Sequence, residues 1–252
     1  MASLKRCRPL RETAWYKCGL CEQSYHGVVK CALGWAFWKT YVGRPEADQI
    51  RQLAMEQLGN GLFAARHYED ALSVREAELS LLRRVGAPDD DLLVVQSNLA
   101  NTHEALGRDE QTLSMLRDVY FGRVKLSGKE HHETLRAANN YATSLNRLER
   151  FEEAKPLFRK TMPVVRRVLG ENDFRTLTMR GNYARALYLD DGATLDDLRE
   201  AVTTLEDTNR IARRVLGNAH LTTNGIEAAL RLAQAALRAR ETPSPSTPSE
   251  SG

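Results

Sequence analysis

Apolar residues return at spacings of three and four through most of this chain, and the stripes they form come in pairs. Leu135, Ala138, Tyr141, Ala142, Leu145 and Leu148 make one stripe; Phe151, Ala154, Phe158, Val165 and Leu169 make the next. Such spacing places each set on one face of an α-helix. Arg150 marks a short turn between them, and Gly170, free to take the left-handed conformation, stops the second helix. The pair itself recurs. Asn98, Asn140 and Asn182 stand 42 positions apart (140−98 and 182−140), as do Gly86, Gly128 and Gly170, while Gly217 follows after 47. Neither helix of a pair can bury its apolar face alone, so this period predicts helix pairs stacked on their neighbours around a continuous core.

Several marks recur within the period. Asn98-Leu99-Ala100 precedes Gly107-Arg108, Arg150-Phe151-Glu152-Glu153-Ala154 sits at a turn, and Arg167-Val168-Leu169-Gly170 closes a unit. Together these resemble the tetratricopeptide repeat, in the form found in kinesin light chains. The first unit is looser, keeping Tyr68-Glu69 and Ala71 at its turn. The resemblance covers residues 47–240 and implies an all-α fold, a right-handed α-α superhelix of about four helix pairs plus a C-terminal capping helix. The expected layout is a cysteine-bearing extension over 1–46, repeats over 47–219, a capping helix over 220–240 and a disordered Ser/Thr/Pro tail over 241–252. Arg44-Pro45 breaks the chain before the repeats, and the aromatic segment with Trp35, Phe37, Trp38 and Tyr41 is expected to pack on the open end of the first unit. The five extra residues of the last period (47−42) are expected in the turn around Asp190 to Leu195. Pro163 is expected to kink its helix.

Composition narrows the functional classes. A formal net charge of +3 is too small to imply nucleic acid, and the basic cluster Lys5, Arg6, Arg8, Arg11 and Lys17 reads as a solvated tail. No apolar run approaches the ~20 residues needed to span a bilayer, so no membrane partner is expected and the chain is expected to be cytoplasmic. No phosphate-binding glycine loop, metalloprotease helix or nucleophile elbow occurs, so no catalytic residue is assigned and the chain is expected not to be an enzyme. His131 and His220 fall three residues after Gly128 and Gly217, where Asp89 and Asp173 stand after Gly86 and Gly170. A position that alternates Asp and His once per repeat reads as a helix N-cap, not an acid/base group.

Zinc is the one cofactor the pattern allows. Cys18, Cys21, His26 and Cys31 follow the spacing of a CCHC knuckle, and thiolate and imidazole suit a tetrahedral site. The segment from Trp15 is also similar to the last cysteine pair of a RING-variant domain, which leaves a second reading: the substrate-recognition part of a ubiquitin-ligase-type protein. Only Cys7 lies upstream, too few ligands for a complete domain of that kind. Free thiols in a reducing compartment are the alternative to metal.

The first reading, a scaffold or adaptor holding peptide segments, follows from the resemblance. In that architecture helix A of each unit lines the concave face. The family's groove positions fall here on Glu56, Asn60 and Phe63, then Ser97, Asn101 and Glu104, then Arg136, Asn139, Thr143, Asn146 and Arg147, and last Thr178, Arg185 and Tyr188. Asparagine amides suit the backbone of an extended peptide, and arginine pairs bidentately with carboxylates. The expected partner is a protein or peptide of acidic or mixed character.

Overall fold

The computed structural model describes residues 18, 21 and 23–242. The Ser/Thr/Pro residues 243–252, the basic residues 5–17 and Cys7 lie outside the described residues. Ten helices follow one another among the described residues: α1 (Gly27–Tyr41), α2 (Gln49–Ala64), α3 (Tyr68–Arg84), α4 (Asp89–Ala105), α5 (Asp109–Ser127), α6 (His132–Arg147), α7 (Phe151–Leu169), α8 (Phe174–Tyr188), α9 (Leu195–Leu216) and α10 (Leu221–Glu241). The predicted stripes are the buried faces: Leu135, Ala138, Ala142 and Leu145 on α6 meet Phe151, Ala154, Phe158 and Val165 on α7.

Local chemistry sets where these helices start and stop. His131 Nδ1 accepts from the Glu133 amide at 3.3 Å, Asp173 Oδ1 from Arg175 N at 2.8 Å, and His220 Nδ1 from Thr222 N at 3.2 Å. The expected caps at these three positions are therefore present. Asp89 differs. The N-cap there is Pro88, and Asp89 is already helical, placing its charge with Asp90 and Asp91 in the first turn, where the helix dipole favours it. The turns within the first three pairs each use one left-handed residue: Gly107 (φ 71°), but also Arg66 (φ 66°) and Glu149 (φ 57°). In each, the next amide reaches back five residues, as Arg150 N does to Leu145 O at 2.9 Å, closing the helix.

One expectation needs adjustment. The insertion is not confined to its turn: 189–194 has six residues where 148–150 has three, α9 is 22 residues against 19 for α7, and α8 is 15 against 16 for α6. The longer turn is anchored, because the buried Lys155 Nζ donates to Asp190 Oδ2 at 2.6 Å and Asp190 Oδ1 accepts from Gly192 N at 2.9 Å. At Pro163, α7 runs on as one continuous helix with the exposed ring on its solvent side, so the lost hydrogen bond does not end it.

The described chain divides into two compact units at Gly122/Arg123, inside α5. In the first, Leu58, Leu62 and Ala71 form a core flanked by Cys31, Trp38, Phe63 and Val74, and Leu72, Leu79, Leu82, Val95 and Leu99 form a second cluster. Helix α1 lies on α2 at very close range. A Cβ added to Gly61 would fall 2.8 Å from Lys30 O, and one added to Gly34 would fall 2.8 Å from Gln57 O. Only glycine admits this approach, which lets Phe37 become fully buried. In the second unit α6 to α10 pack in sequence, with α8 meeting α6, α7, α9 and α10.

Candidate functional site

Each unit holds a cleft between two successive first helices of a pair, floored by the intervening second helix. In the first unit it is lined by Gln49, Gln52, Leu53 and Glu56 of α2, Glu78 and Leu82 of α3, and Asp91, Val94 and Val95 of α4, enclosing about 330 Å³. In the second it is lined by His132, Leu135, Arg136 and Asn139 of α6, Val165 and Leu169 of α7, and Phe174, Arg175, Thr178 and Met179 of α8, enclosing about 120 Å³. Gln49 and His132, and Leu82 and Val165, differ by 83 positions (132−49, 165−82), while Asp91 and Arg175, and Val95 and Met179, differ by the 84 that separates Gly86 from Gly170 (175−91, 179−95). The two clefts therefore occupy the same place in the repeat. Their chemistry is different.

The second-unit cleft has an apolar floor of Leu135, Val165, Leu169 and Met179, with two arginines at its rim. Arg136 pairs with Glu133, and Arg175 Nε with Asp173 Oδ1 at 3.0 Å. That pairing, first by hydrogen bond, holds the Asp173 carboxyl below its ordinary range. Of the other expected groove residues, Asn139 and Asn146 have their amides committed between α6 and α8. Asn182 Nδ2 donates to Asn139 Oδ1 at 3.2 Å and to Thr143 Oγ1 at 3.0 Å, and Asn146 Nδ2 donates to Asn182 O at 2.8 Å. Asn146 Oδ1 is buried without a hydrogen-bond partner. Arg147 and Arg185 are exposed on α6 and α8 and do not line the cleft. The structure thus brings together Arg136 and Asn139 at the cleft, and ties Asn146 into the helix–helix contact.

In the first unit, Asn60 Oδ1 accepts from Arg75 Nη2 at 3.1 Å, while Asn101 is half-buried on α4. Arg75, absent from the sequence-based site, is 4% exposed. Its Nη1 donates to Asn98 O at 2.7 Å and to Thr102 Oγ1, and its guanidinium lies 5.0 Å above the Phe63 ring. Burial, opposed by Glu78 and Glu56, pulls its pKa down to about 10. Glu78, also missed, is 5% exposed; burial first and then Glu56 push its carboxyl up to about 8, against the pull of Arg75. Glu56 is raised by burial as well. A sequence signal for these two exists. Arg75 stands in register with Leu116, Phe158 and Leu205 (116−75 = 41, 158−116 = 42, 205−158 = 47), all buried, and Glu78 with Val119, Thr161 and Thr208. Charges at core positions of a repeat are the anomaly to look for.

The expected zinc ligands are all described. Cys21 and His26 are exposed, Cys18 is half-buried, and Cys31 packs from α1 against Leu58, Leu62 and Ala71. Burial, with the Asp70 charge second, pushes the Cys31 thiol up, which disfavours the thiolate that zinc needs. Among the described residues no group of three or more His, Cys, Asp or Glu side chains is placed to hold a metal ion. No helix among them is long and apolar enough to cross a membrane.

Paired helices of this length, with the observed turns and inter-pair clefts, make the fold that of a tetratricopeptide-repeat protein, and residues 133–213 match the family model "Tetratricopeptide repeat". This fold is a protein–protein interaction scaffold and is typically non-enzymatic. Among curated proteins the chain is similar to the clustered mitochondria protein homologs of Ajellomyces capsulatus, 26% identical over 150 residues, and of Emericella nidulans, 24% identical over 143. Each match covers 57% of this chain but 11% of the relative, so the chain spans about a tenth of the length of those proteins. Among solved structures it is similar to BtubC (BKLC) from P. vanneervenii, with a TM-score of 0.59 at 15% identity, covering 88% of this chain and 95% of that one. It is also similar to kinesin light chain-type, nearly identical TPR-like repeats from Podosopora anserina, with a TM-score of 0.58 at 20% identity, covering 74% and 85%. At these identities the likeness is one of fold.

Proposed function

We propose that the chain is a non-enzymatic adaptor of the cytoplasm that holds a short segment of a partner protein, with the second-unit cleft as the docking point. The observation that supports this is the apolar floor of Leu135, Val165, Leu169 and Met179 opening between α6 and α8 under Arg136, Asn139 and Arg175. An apolar side chain of the partner enters the hollow and leaves water. The rim arginines are exposed, and their present pairs with Glu133 and Asp173 are surface ion pairs worth little, so both can turn to an acidic residue beside the apolar anchor. The preferred segment is therefore an apolar anchor flanked by Asp or Glu. In this reading α1 caps the helix stack of the first unit and α10 that of the second.

Selection of a displayed peptide library on the full chain tests this. The expected consensus is one apolar residue next to acidic ones, lost on Thr178→Trp, which fills the mouth of the hollow. A consensus that Thr178→Trp leaves unchanged would overturn the assignment.

A further inference from the structure

The first-unit cleft has no role in that reading, and its chemistry is the reverse. Three carboxylates line it, Glu56, Glu78 and Asp91, each from a different helix. The one buried cation beside them, Arg75, aims its hydrogen bonds away, at Asn60, Asn98 and Thr102. Glu78 is more than nine-tenths buried, borders the cleft, and accepts no hydrogen bond among the described residues. Its oxygens are not fully enclosed and it borders the cleft, so a cationic donor entering there finds an acceptor that no protein group occupies.

We propose that this cleft binds a basic side chain, a lysine ammonium or an arginine guanidinium, presented by a partner protein. The walls argue for a side chain over a bare ion. Leu53, Leu82, Val94 and Val95 give the methylene stem an apolar seat while the charged head reaches Glu78 and Glu56. The carboxylates are not placed together as a metal-binding group. The register supports the same conclusion, since the second unit holds Phe158 and Thr161 where the first holds Arg75 and Glu78. The inference extends the adaptor reading to a second contact of opposite character.

Binding has a predictable pH dependence. Glu78 takes up its proton below about 8, held there by burial and by Glu56, against the opposing charge of Arg75. Glu56 is in turn influenced by Lys30 of α1, Arg75 of α3 and Asp91 of α4. A bound cation favours the ionised carboxylate, so affinity rises with pH through about 8.

The test uses short fluorescein-labelled peptides with randomised flanks and a central lysine, leucine or glutamate, read by anisotropy on the full chain. Lysine-centred peptides are expected to bind tightest, and Glu78→Gln to weaken them by about thirtyfold or more, as for truncation within a buried charge pair. The amide is the isostere of the protonated acid, and thermal melts check that the variant folds. Glu78→Gln is also expected to flatten the pH dependence, and Thr178→Trp to leave the lysine preference intact. No preference for lysine over leucine, or one that survives Glu78→Gln, would overturn the proposal, as would spermidine alone binding as tightly as the peptides. Loss of the acidic consensus on Thr178→Trp tests the second-unit cleft separately, so either assignment can fail without the other.

Discussion

The two clefts occupy equivalent places in the repeat, and they handle polarity in opposite ways. In the first unit the chain puts Arg75 and Glu78 at positions where other repeats bury Phe158 and Thr161, and the cleft above them is acidic. In the second unit the corresponding wall is apolar, and charge is confined to exposed arginines already paired on their own helices. The frame is the same: first helices side by side, a second helix as floor, a left-handed residue at the turn. A solenoid repeat needs only its stacking positions to be apolar, so the positions facing the cleft can diverge while the fold persists.

The largest effect tests whether the first unit depends on its buried guanidinium. Arg75→Met removes the bonds to Asn60, Asn98 and Thr102 and leaves Glu78 without its nearby cation. Urea unfolding above pH 8, where Glu78 is ionised, should show a loss of about 3–5 kcal/mol, the cost of leaving a buried charge without its partner. Adding Glu78→Thr, the residue found at Thr161, should recover much of it, since replacing both charges is far milder than removing one. If the single variant were neutral, the guanidinium would not organise the site.

Next comes the α1–α2 contact, which belongs to the first unit. Gly61→Ala places a Cβ 2.8 Å from Lys30 O and 2.9 Å from Cys31 Cα, with backbone that cannot yield cheaply. A loss of about 1–3 kcal/mol is expected, as for overpacking a core. Gly181→Ala on α8 meets nothing nearer than Ile226 Cγ1 at 3.8 Å and should stabilise by up to about 1 kcal/mol through helix propensity. Equal losses in both would mean that close approach is not the reason for Gly61.

The smallest effect concerns the shared turn. Glu149 adopts φ 57° where Gly107 adopts 71°. Glu149→Gly should raise the melting temperature by an amount equivalent to about 1 kcal/mol, because a side chain is disfavoured in the left-handed region. A lower melting temperature would show that the Glu149 side chain contributes more than its backbone strain costs.

The fold was legible because it rests on periodic quantities. The stripe residues of α6 and α7, the 42-residue spacing of Gly86, Gly128 and Gly170, and the caps at His131, Asp173 and His220 follow from helix geometry alone. Asp89 escaped because Pro88 takes over the N-cap position and moves the acid inside the first turn. The insertion lies at the expected turn but also lengthens the start of α9, where a longer helix costs no broken backbone bonds. The site was less legible. Family positions led to Arg136 and Asn139, which do border a cleft, but the amides of Asn139 and Asn146 were already committed to Asn182, a pairing across 36 to 43 positions that no local pattern announces. Arg75 and Glu78 were visible only as departures from the register of Leu116, Phe158 and Leu205, because a charged residue in an amphipathic helix reads as solvent-facing until the repeats are laid over one another.

One measurement tests the central claim that equivalent clefts carry opposite chemistry: peptide selection on the wild-type chain, on Glu78→Gln and on Thr178→Trp in parallel. The account predicts two peptide classes, a basic one lost with Glu78→Gln and an acidic-flanked apolar one lost with Thr178→Trp, each unaffected by the other change. A single class lost in both variants, or classes that neither substitution alters, would contradict it.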